Sequence, residues 1–164
     1  GIRRTPIGTK AFLGQLERHL LLVYLGKPRF SGANNWELFK RHIEGDRKTV
    51  ALFEALKDNA ISMRNAFLKQ DVARIADLLN RDWEIRRRAL PTMSSPAIDR
   101  LIRALRRAGA LGARVCGAGG GGCLALVIES EARARLTALA AGAGAKTLPC
   151  AVNVRGLVVR RDDE

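Results

Sequence analysis

The chain of 164 residues has few aromatic residues, no long apolar run and no secretory signal pattern. Aromatic residues make up 5% of it, so it offers few rings on which the bases of a single-stranded nucleic acid would stack. Its apolar runs are no longer than the six residues Leu20 to Leu25, whereas a membrane-spanning helix needs about 20. The basic start at Gly1 is not followed by the sustained apolar region of a secretory signal. We therefore expect neither a membrane protein nor a secreted one.

Cysteine and histidine are also scarce. The three cysteines, Cys116, Cys123 and Cys150, form no CxxC pair, and the two histidines lie far from them in the sequence. This pattern argues against a disulfide framework and against a zinc site, so no metal ligands are predicted. The sequence instead favours three buried structural thiols and a cytoplasmic location.

Acidic residues are few relative to basic ones, with 16 Asp and Glu against 29 Lys and Arg, a formal net charge of +13. Such an excess attracts polyanions, although it also suits a solvated arginine-rich surface. The run Arg86 to Arg88 and the arginines between Arg100 and Arg107 fall on the polar sides of predicted helices. One candidate function is therefore a non-catalytic basic α+β module that binds nucleic acid or a regulatory anion.

Hydrophobic periodicity and capping residues predict one continuous domain that contains both helices and strands. The predicted strands are 20–25, 113–116, 123–128 and 151–160, and the predicted helices are 36–43, 46–68, 71–90, 95–109 and 130–141. No regular element is predicted for residues 1–14, and Trp36 and Trp83 are predicted to be core anchors. Because six residues join strands 113–116 and 123–128, this pair must be antiparallel, which indicates an α+β fold.

The sequence between these two strands is Gly117-Ala118-Gly119-Gly120-Gly121-Gly122. A dinucleotide-binding loop would require a helix directly after it, and a P-loop would require Lys where Cys123 stands. Each glycine in a regular element costs roughly 0.5–1 kcal/mol relative to Ala, so the loop needs unusual backbone angles or a close approach. The remaining alternatives are a hairpin whose bare backbone approaches a ligand or another loop, and a flexible hairpin tip without a ligand.

The stretch Gly112-Ala113-Arg114-Val115-Cys116 followed by this loop and Cys123 resembles the third motif of the GHMP small-molecule kinases. The segment Tyr24 to Ser31, with Asn34-Asn35-Trp36 after it, is similar to the start of the C-terminal half in the sugar-kinase branch, which includes heptose 7-phosphate kinases. The resemblance covers about residues 16 to 161. It implies a ferredoxin-like antiparallel sheet with additional helices over residues 16–164.

The resemblance also implies a role for the loop in a sugar or sugar-phosphate kinase that uses ATP and Mg²⁺. Residues Gly117, Ala118, Gly119, Gly120, Gly121 and Gly122 would lie beside the nucleotide phosphates, where successive backbone N–H groups form a concavity for anions. The family's ATP-binding motif, Pro-x-x-x-Gly-Leu-Gly-Ser-Ser, does not occur in this sequence. We therefore expect residues 1–15 to be the junction to an N-terminal ATP-binding domain, with the catalytic groups and the Mg²⁺ ligands outside this chain.

Arg29, Ser31, Asn34 and Asn35 follow the first predicted strand and are candidates for binding a sugar or sugar-phosphate acceptor. Arg29 would hold a phosphate, since a guanidinium makes charge-assisted hydrogen bonds to phosphate oxygens. Ser31 and Asn34 are equally suited to cap the helix predicted to begin near Trp36. Both interpretations remain open at this point.

Overall fold

The computed structural model describes residues 7–26, 32–117 and 119–153, and for residues 32–35 it describes the backbone alone. The helices are α1 (Lys10–His19), α2 (Gly32–Ile43), α3 (Arg47–Leu68), α4 (Val72–Ala89), α5 (Pro96–Arg107) and α6 (Arg133–Gly142). The strands are β1 (Leu20–Tyr24), β2 (Ala110–Val115), β3 (Cys123–Ile128) and β4 (Lys146–Leu148). Single 3₁₀ turns at Pro91–Met93 and Ser130–Ala132 precede α5 and α6.

The four described strands form one antiparallel sheet in the order β2-β3-β1-β4. The pairing of β2 with β3 across the glycine loop, in which Val115 lies opposite Leu124, confirms the predicted hairpin. The chain follows the β-α-β-β-α-β plan of a ferredoxin-like fold, with the additional helices inserted between β1 and β2. The predicted fold class is therefore confirmed.

Alternate residues along a strand point to opposite faces of the sheet, and each face carries its own apolar cluster. One cluster contains Leu21 and Val23 of β1 together with residues of α5 and α6. The other contains Val127 of β3, Phe12 of α1 and residues of α3 and α4. Burying both faces fixes the register of the sheet, because a shift by one residue would exchange the two sets of side chains.

Helix α4 lies along the outer strand β2 and satisfies part of its free edge. The Asn80 side chain accepts a hydrogen bond from Ala113 N–H at 3.0 Å and donates one to the Leu111 carbonyl at 2.8 Å. A Cβ at Gly112 would lie 2.7 Å from the Ala76 carbonyl oxygen, so only glycine permits this approach of helix and strand. The edge that leads into the glycine loop is thus covered by a helix, which protects it from pairing with other strands.

Several predicted elements differ from the observed ones. Helix α1 begins inside the segment 1–14 that was predicted to have no regular structure. Strand β4 at Lys146–Leu148 was not predicted, residues 151–153 are not a strand, and the rest of the predicted strand 151–160 lies outside the described residues. No helix in the described part of the chain is long and apolar enough to span a membrane.

Two predictions about burial were partly wrong. Trp83 is 2% exposed and anchors the core as predicted, but Trp36 on α2 is 67% exposed. Cys116 and Cys123 are half-buried and Cys150 is exposed, so the three thiols are not uniformly buried. Helix α2 contacts α3, with the Phe39 and Phe53 rings 5.9 Å apart, and this packing leaves Trp36 exposed.

Candidate functional site

The glycine loop joins β2 to β3 and is closed at its base by a hydrogen bond from Cys116 N–H to the Cys123 carbonyl at 2.7 Å. Positive φ angles occur at Gly117 (65°), Gly119 (82°), Gly120 (74°), Gly121 (152°) and Gly122 (76°). These angles are strained for residues that carry a Cβ, which explains why glycine occupies the loop so densely. Ala118 lies outside the described residues.

Contacts on two sides hold the loop in place. Gly120 N–H donates to the Met93 carbonyl at 2.7 Å, and Leu25 N–H donates to the Gly122 carbonyl at 2.7 Å. A Cβ at Gly119 would lie 2.7 Å from the Met93 Cα and 2.8 Å from its carbonyl oxygen. The loop is therefore fixed against the 3₁₀ turn that follows α4 and against the end of β1.

Gly117 has a different environment from Gly119. It is exposed, and no atom lies within 4 Å of the position that its Cβ would occupy. Gly117 also lines a cavity of about 210 Å³ between α2, α3, α4 and the 3₁₀ turn. The other lining residues are Leu38, Phe39, Leu52, Leu56, Arg86, Ala89, Leu90 and Met93. The bare backbone at Gly117 thus lies at the edge of a cavity whose lining side chains are apolar except for the guanidinium of Arg86.

That guanidinium is held in position by a buried carboxylate. Asp82 is 9% exposed, and its Oδ2 accepts a hydrogen bond from Arg86 Nε at 2.8 Å. Arg114 Nε lies 3.0 Å from the same oxygen, but its N–H is not directed at it, so this contact is an ion pair without a hydrogen bond. Two cations share one carboxylate here, so this group of three side chains carries a net positive charge.

Cys116 lies at the base of the loop, two residues after Arg114. Burial raises the pKa of the Cys116 thiol, and the positive charge of Arg114 partly opposes this effect. The thiol therefore stays largely protonated at neutral pH, which makes it a weak nucleophile there. Among the described residues, no group of three or more His, Cys, Asp or Glu side chains is arranged to hold a metal ion.

The predicted acceptor residues are placed only in part. Arg29 and Ser31 lie outside the described residues, and Asn34 and Asn35 belong to α2, which begins at Gly32 rather than near Trp36. Whether these four side chains come together stays a prediction. Sequence reasoning assigned Arg86 to a solvated helix face and did not single out Met93, although both line the cavity. The run Arg86 to Arg88 indicated positive charge, but nothing in the sequence indicated that Arg86 pairs with Asp82.

Comparison with known proteins agrees with this fold. The sequence model of the family described as GHMP kinases C terminal matches residues 63–145, just over half of the chain. The chain belongs to this family, as the glycine motif predicted. The alternative of a non-catalytic basic module gains no support from the comparisons.

Individual relatives include sugar kinases. The bifunctional fucokinase/GDP-fucose pyrophosphorylase of Arabidopsis thaliana is 23% identical over 114 residues, which are 70% of this chain and 11% of that protein. The D-glycero-alpha-D-manno-heptose 7-phosphate kinase of Campylobacter jejuni is 25% identical over 115 residues, which are 70% of this chain and 33% of that one. This chain therefore spans a third or less of the length of these relatives.

A solved structure of L. major mevalonate kinase in complex with R-mevalonate superimposes with a TM-score of 0.66. The superposition covers 75% of this chain and 38% of the mevalonate kinase chain, at 21% sequence identity. At that identity the likeness shows a shared fold, and it gives no assignment of substrate.

Proposed function

We propose that this chain is the C-terminal part of an ATP-dependent sugar or sugar-phosphate kinase, and that the glycine loop lies beside the nucleotide phosphates. The observation that carries this proposal is the backbone at Gly117, which is exposed at the edge of the cavity with open space at its Cβ position. Backbone N–H groups in such turns favour anions, and the lack of a side chain lets a phosphate approach closely. Membership of a family of kinases agrees with this role.

Within the loop, the glycines divide between two tasks. Gly119 and Gly120 hold the loop against Met93, and the N–H of Gly120 is already bonded to the Met93 carbonyl. Gly117 has no such contact, so the phosphate-facing end of the loop is the end that follows β2. ATP would supply the phosphoryl group and Mg²⁺ would neutralise its charge. We place the Mg²⁺ ligands outside this chain.

The cavity beside Gly117 would bind part of the phosphoryl acceptor. Its volume of about 210 Å³ is below the roughly 300–1,000 Å³ of complete ligand pockets, which suits a site that a second domain completes. Arg86 uses Nε to bind Asp82, and a guanidinium has further N–H donors that can bind a phosphate or a hydroxyl of the acceptor. Arg29, Ser31, Asn34 and Asn35 remain the proposed contributors from the stretch that leads into α2.

An exposed apolar stripe on α2 supports the presence of a further domain beside this site. Trp36, Phe39 and Ile43 are 67%, 52% and 79% exposed and recur at the spacing of one helix face. Phe39 also lines the cavity, so a domain that covers the stripe would close the site. We propose that an N-terminal ATP-binding domain lies here, with residues 1–15 as its junction. The reading frame upstream of Gly1 should then encode a Pro-x-x-x-Gly-Leu-Gly-Ser-Ser-type loop.

The role of Gly117 is tested by Gly117→Ala in the complete kinase, compared with Gly45→Ala. The two glycines have similar φ angles, 65° and 77°, and open space at the Cβ position, so the backbone strain is matched. We expect Gly117→Ala to lower kcat/KM for ATP roughly tenfold or more, because its methyl group takes the space of a phosphate. Gly45→Ala, on the turn between α2 and α3, should leave kcat/KM unchanged. Equal kinetic effects of the two variants would contradict the proposal.

A further inference from the structure

Cys116 and Cys123 lie directly opposite each other at the base of the glycine loop. The register of β2 and β3 pairs Val115 with Leu124, which makes Cys116 and Cys123 the next pair along the hairpin. The hydrogen bond from Cys116 N–H to the Cys123 carbonyl at 2.7 Å agrees with this pairing. Directly opposite residues of an antiparallel pair place their side chains on the same face of the sheet. The two thiols are therefore neighbours.

The expected separation of this pair is close to that of a disulfide. Hydrogen-bonded opposite residues have Cα atoms about 5.5 Å apart, within the roughly 4.4–6.8 Å that disulfides span. Their Cβ atoms are about 4.5–5.5 Å apart, whereas a disulfide requires about 3.5–4.5 Å. Closing the bond thus requires a small tightening of the hairpin base. A bond formed under such strain is more easily reduced, which makes it reversible.

Both sulfur atoms belong to half-buried residues, and exposed Gly117 lies directly beside Cys116. We expect an oxidant to approach the pair from the side of the loop. We propose that Cys116 and Cys123 are a redox modification site, at which a low-molecular-weight disulfide such as oxidised glutathione converts the two thiols into a reversible disulfide. The bond would link the two ends of the glycine loop covalently.

The reaction proceeds by two thiol–disulfide exchanges. One protein thiol loses its proton and attacks a sulfur of oxidised glutathione, which forms a mixed disulfide and releases one glutathione thiolate. The second protein thiol then attacks the protein sulfur of the mixed disulfide and releases the second glutathione. The two protein sulfurs are oxidised, one glutathione disulfide is reduced to two thiols, and the two protons pass to the glutathiones. Because burial raises the pKa of Cys116, the exchange is expected to be slow at neutral pH.

The sequence permits a direct test by mass spectrometry. Trypsin cleaves after Arg114 and after Arg133, so a single peptide, residues 115–133, carries Cys116 and Cys123 and no other cysteine. The folded, reduced protein is incubated with oxidised glutathione, its free thiols are alkylated, and the protein is digested without reduction. We expect this peptide to lose the mass of two hydrogens and to take up no alkyl group. Exposed Cys150, in a separate peptide, should instead carry glutathione or the alkyl group.

Two variants test the mechanism. In Cys116→Ser and in Cys123→Ser, the remaining cysteine of the pair should retain a bound glutathione, because no second thiol is present to displace it. Dithiothreitol should restore both free thiols in the unmodified sequence. The proposal would be overturned if the folded protein kept both thiols free, if each carried its own glutathione, or if the internal disulfide formed only after unfolding. A disulfide from either residue to Cys150 would also overturn it.

Discussion

At the residue scale, Gly119 determines whether the glycine loop can pack against Met93. Its φ of 82° lies in the region that disfavours any Cβ, and the space beside it is filled by the backbone of Met93. Backbone atoms cannot move aside as the end of a flexible side chain can. Packing within the chain therefore requires glycine at this position for two independent reasons, whereas at Gly117 the fold itself requires it for the backbone angle alone.

We expect Gly119→Ala to destabilise the protein by about 2–4 kcal/mol, because backbone strain and a steric clash with Met93 add together. Gly45→Ala has a comparable φ of 77° but open space, and should cost about 1–2 kcal/mol. The free energies of unfolding in urea give this comparison directly. Equal losses in the two variants would mean that the loop does not pack against Met93 as described.

At the scale of elements, helix α3 is capped at its N-terminus by Asp46, whose carboxylate accepts hydrogen bonds from the Thr49 hydroxyl at 2.7 Å and the Thr49 N–H at 2.8 Å. These bonds hold the pKa of Asp46 below its ordinary value of 3.8. A carboxyl whose pKa is lower in the folded state stabilises the fold above its unfolded pKa. This contribution is lost as the pH falls through the folded pKa.

The Asp46→Asn variant should therefore be less stable than the parent protein at about pH 7, and the difference should shrink as the pH is lowered to about 3. Asn still caps the helix, so the comparison isolates the charge. The measurement is the difference in unfolding free energy at the two pH values. Asp77→Asn is the matched control, since Asp77 is an exposed residue within α4 that caps no helix. A difference that grows on acidification would contradict the assignment.

The elements that the sequence predicted correctly are those with local signals. Asp46, Asp71 and Ser95 cap the starts of α3, α4 and α5, each through a hydrogen bond to an N–H three residues later. Helix α1 has the same kind of cap, since Thr9 Oγ1 accepts a hydrogen bond from Phe12 N–H at 3.2 Å. Gly14 nevertheless weakens its helical pattern in the sequence, and its formation depends on burying Phe12 and Leu16. Strand β4 has three residues, and its pairing with β1 rather than its composition makes it a strand.

The glycine loop of the candidate site could be predicted from the sequence because its signal is local. The residues that surround the loop could not be predicted, because tertiary packing brings them there. The glycines of the loop are adjacent in the sequence, and their density indicated a special backbone conformation. Met93 contacts the loop and Arg86 lines the cavity beside it, and both lie some two dozen or more residues earlier in the chain, in α4 and the turn that follows it. No periodicity in the sequence indicates that these residues lie beside the loop. Their position follows from the packing of α4 along the edge of β2.

At the scale of the whole molecule, the proposed function makes the described residues one wall of a site. The cavity, the loop and the exposed stripe of α2 all lie on the side formed by α2, α3 and the end of the sheet at Gly117. A site that is open on one side leaves its ligands in water, where each electrostatic contact is weaker than in an enclosed pocket. Binding on this wall alone would position neither the nucleotide nor the acceptor for transfer.

We therefore predict that residues 1–164 alone show no measurable ATP turnover with any sugar or sugar phosphate. Phosphoryl transfer depends on a nucleotide cradle, Mg²⁺ and an oriented acceptor hydroxyl, and we place the first two in a preceding domain. Joining that domain to the chain should produce phosphorylation that requires both ATP and Mg²⁺, measured by the release of ADP. Circular dichroism of the isolated chain serves as the control for folding, because an unfolded sample would be inactive for a trivial reason. Robust kinase activity from the folded, isolated chain would contradict the proposal that the nucleotide and Mg²⁺ sites lie in a preceding domain. A joined protein that binds ATP but transfers no phosphate to any sugar would contradict the proposed sugar-kinase function.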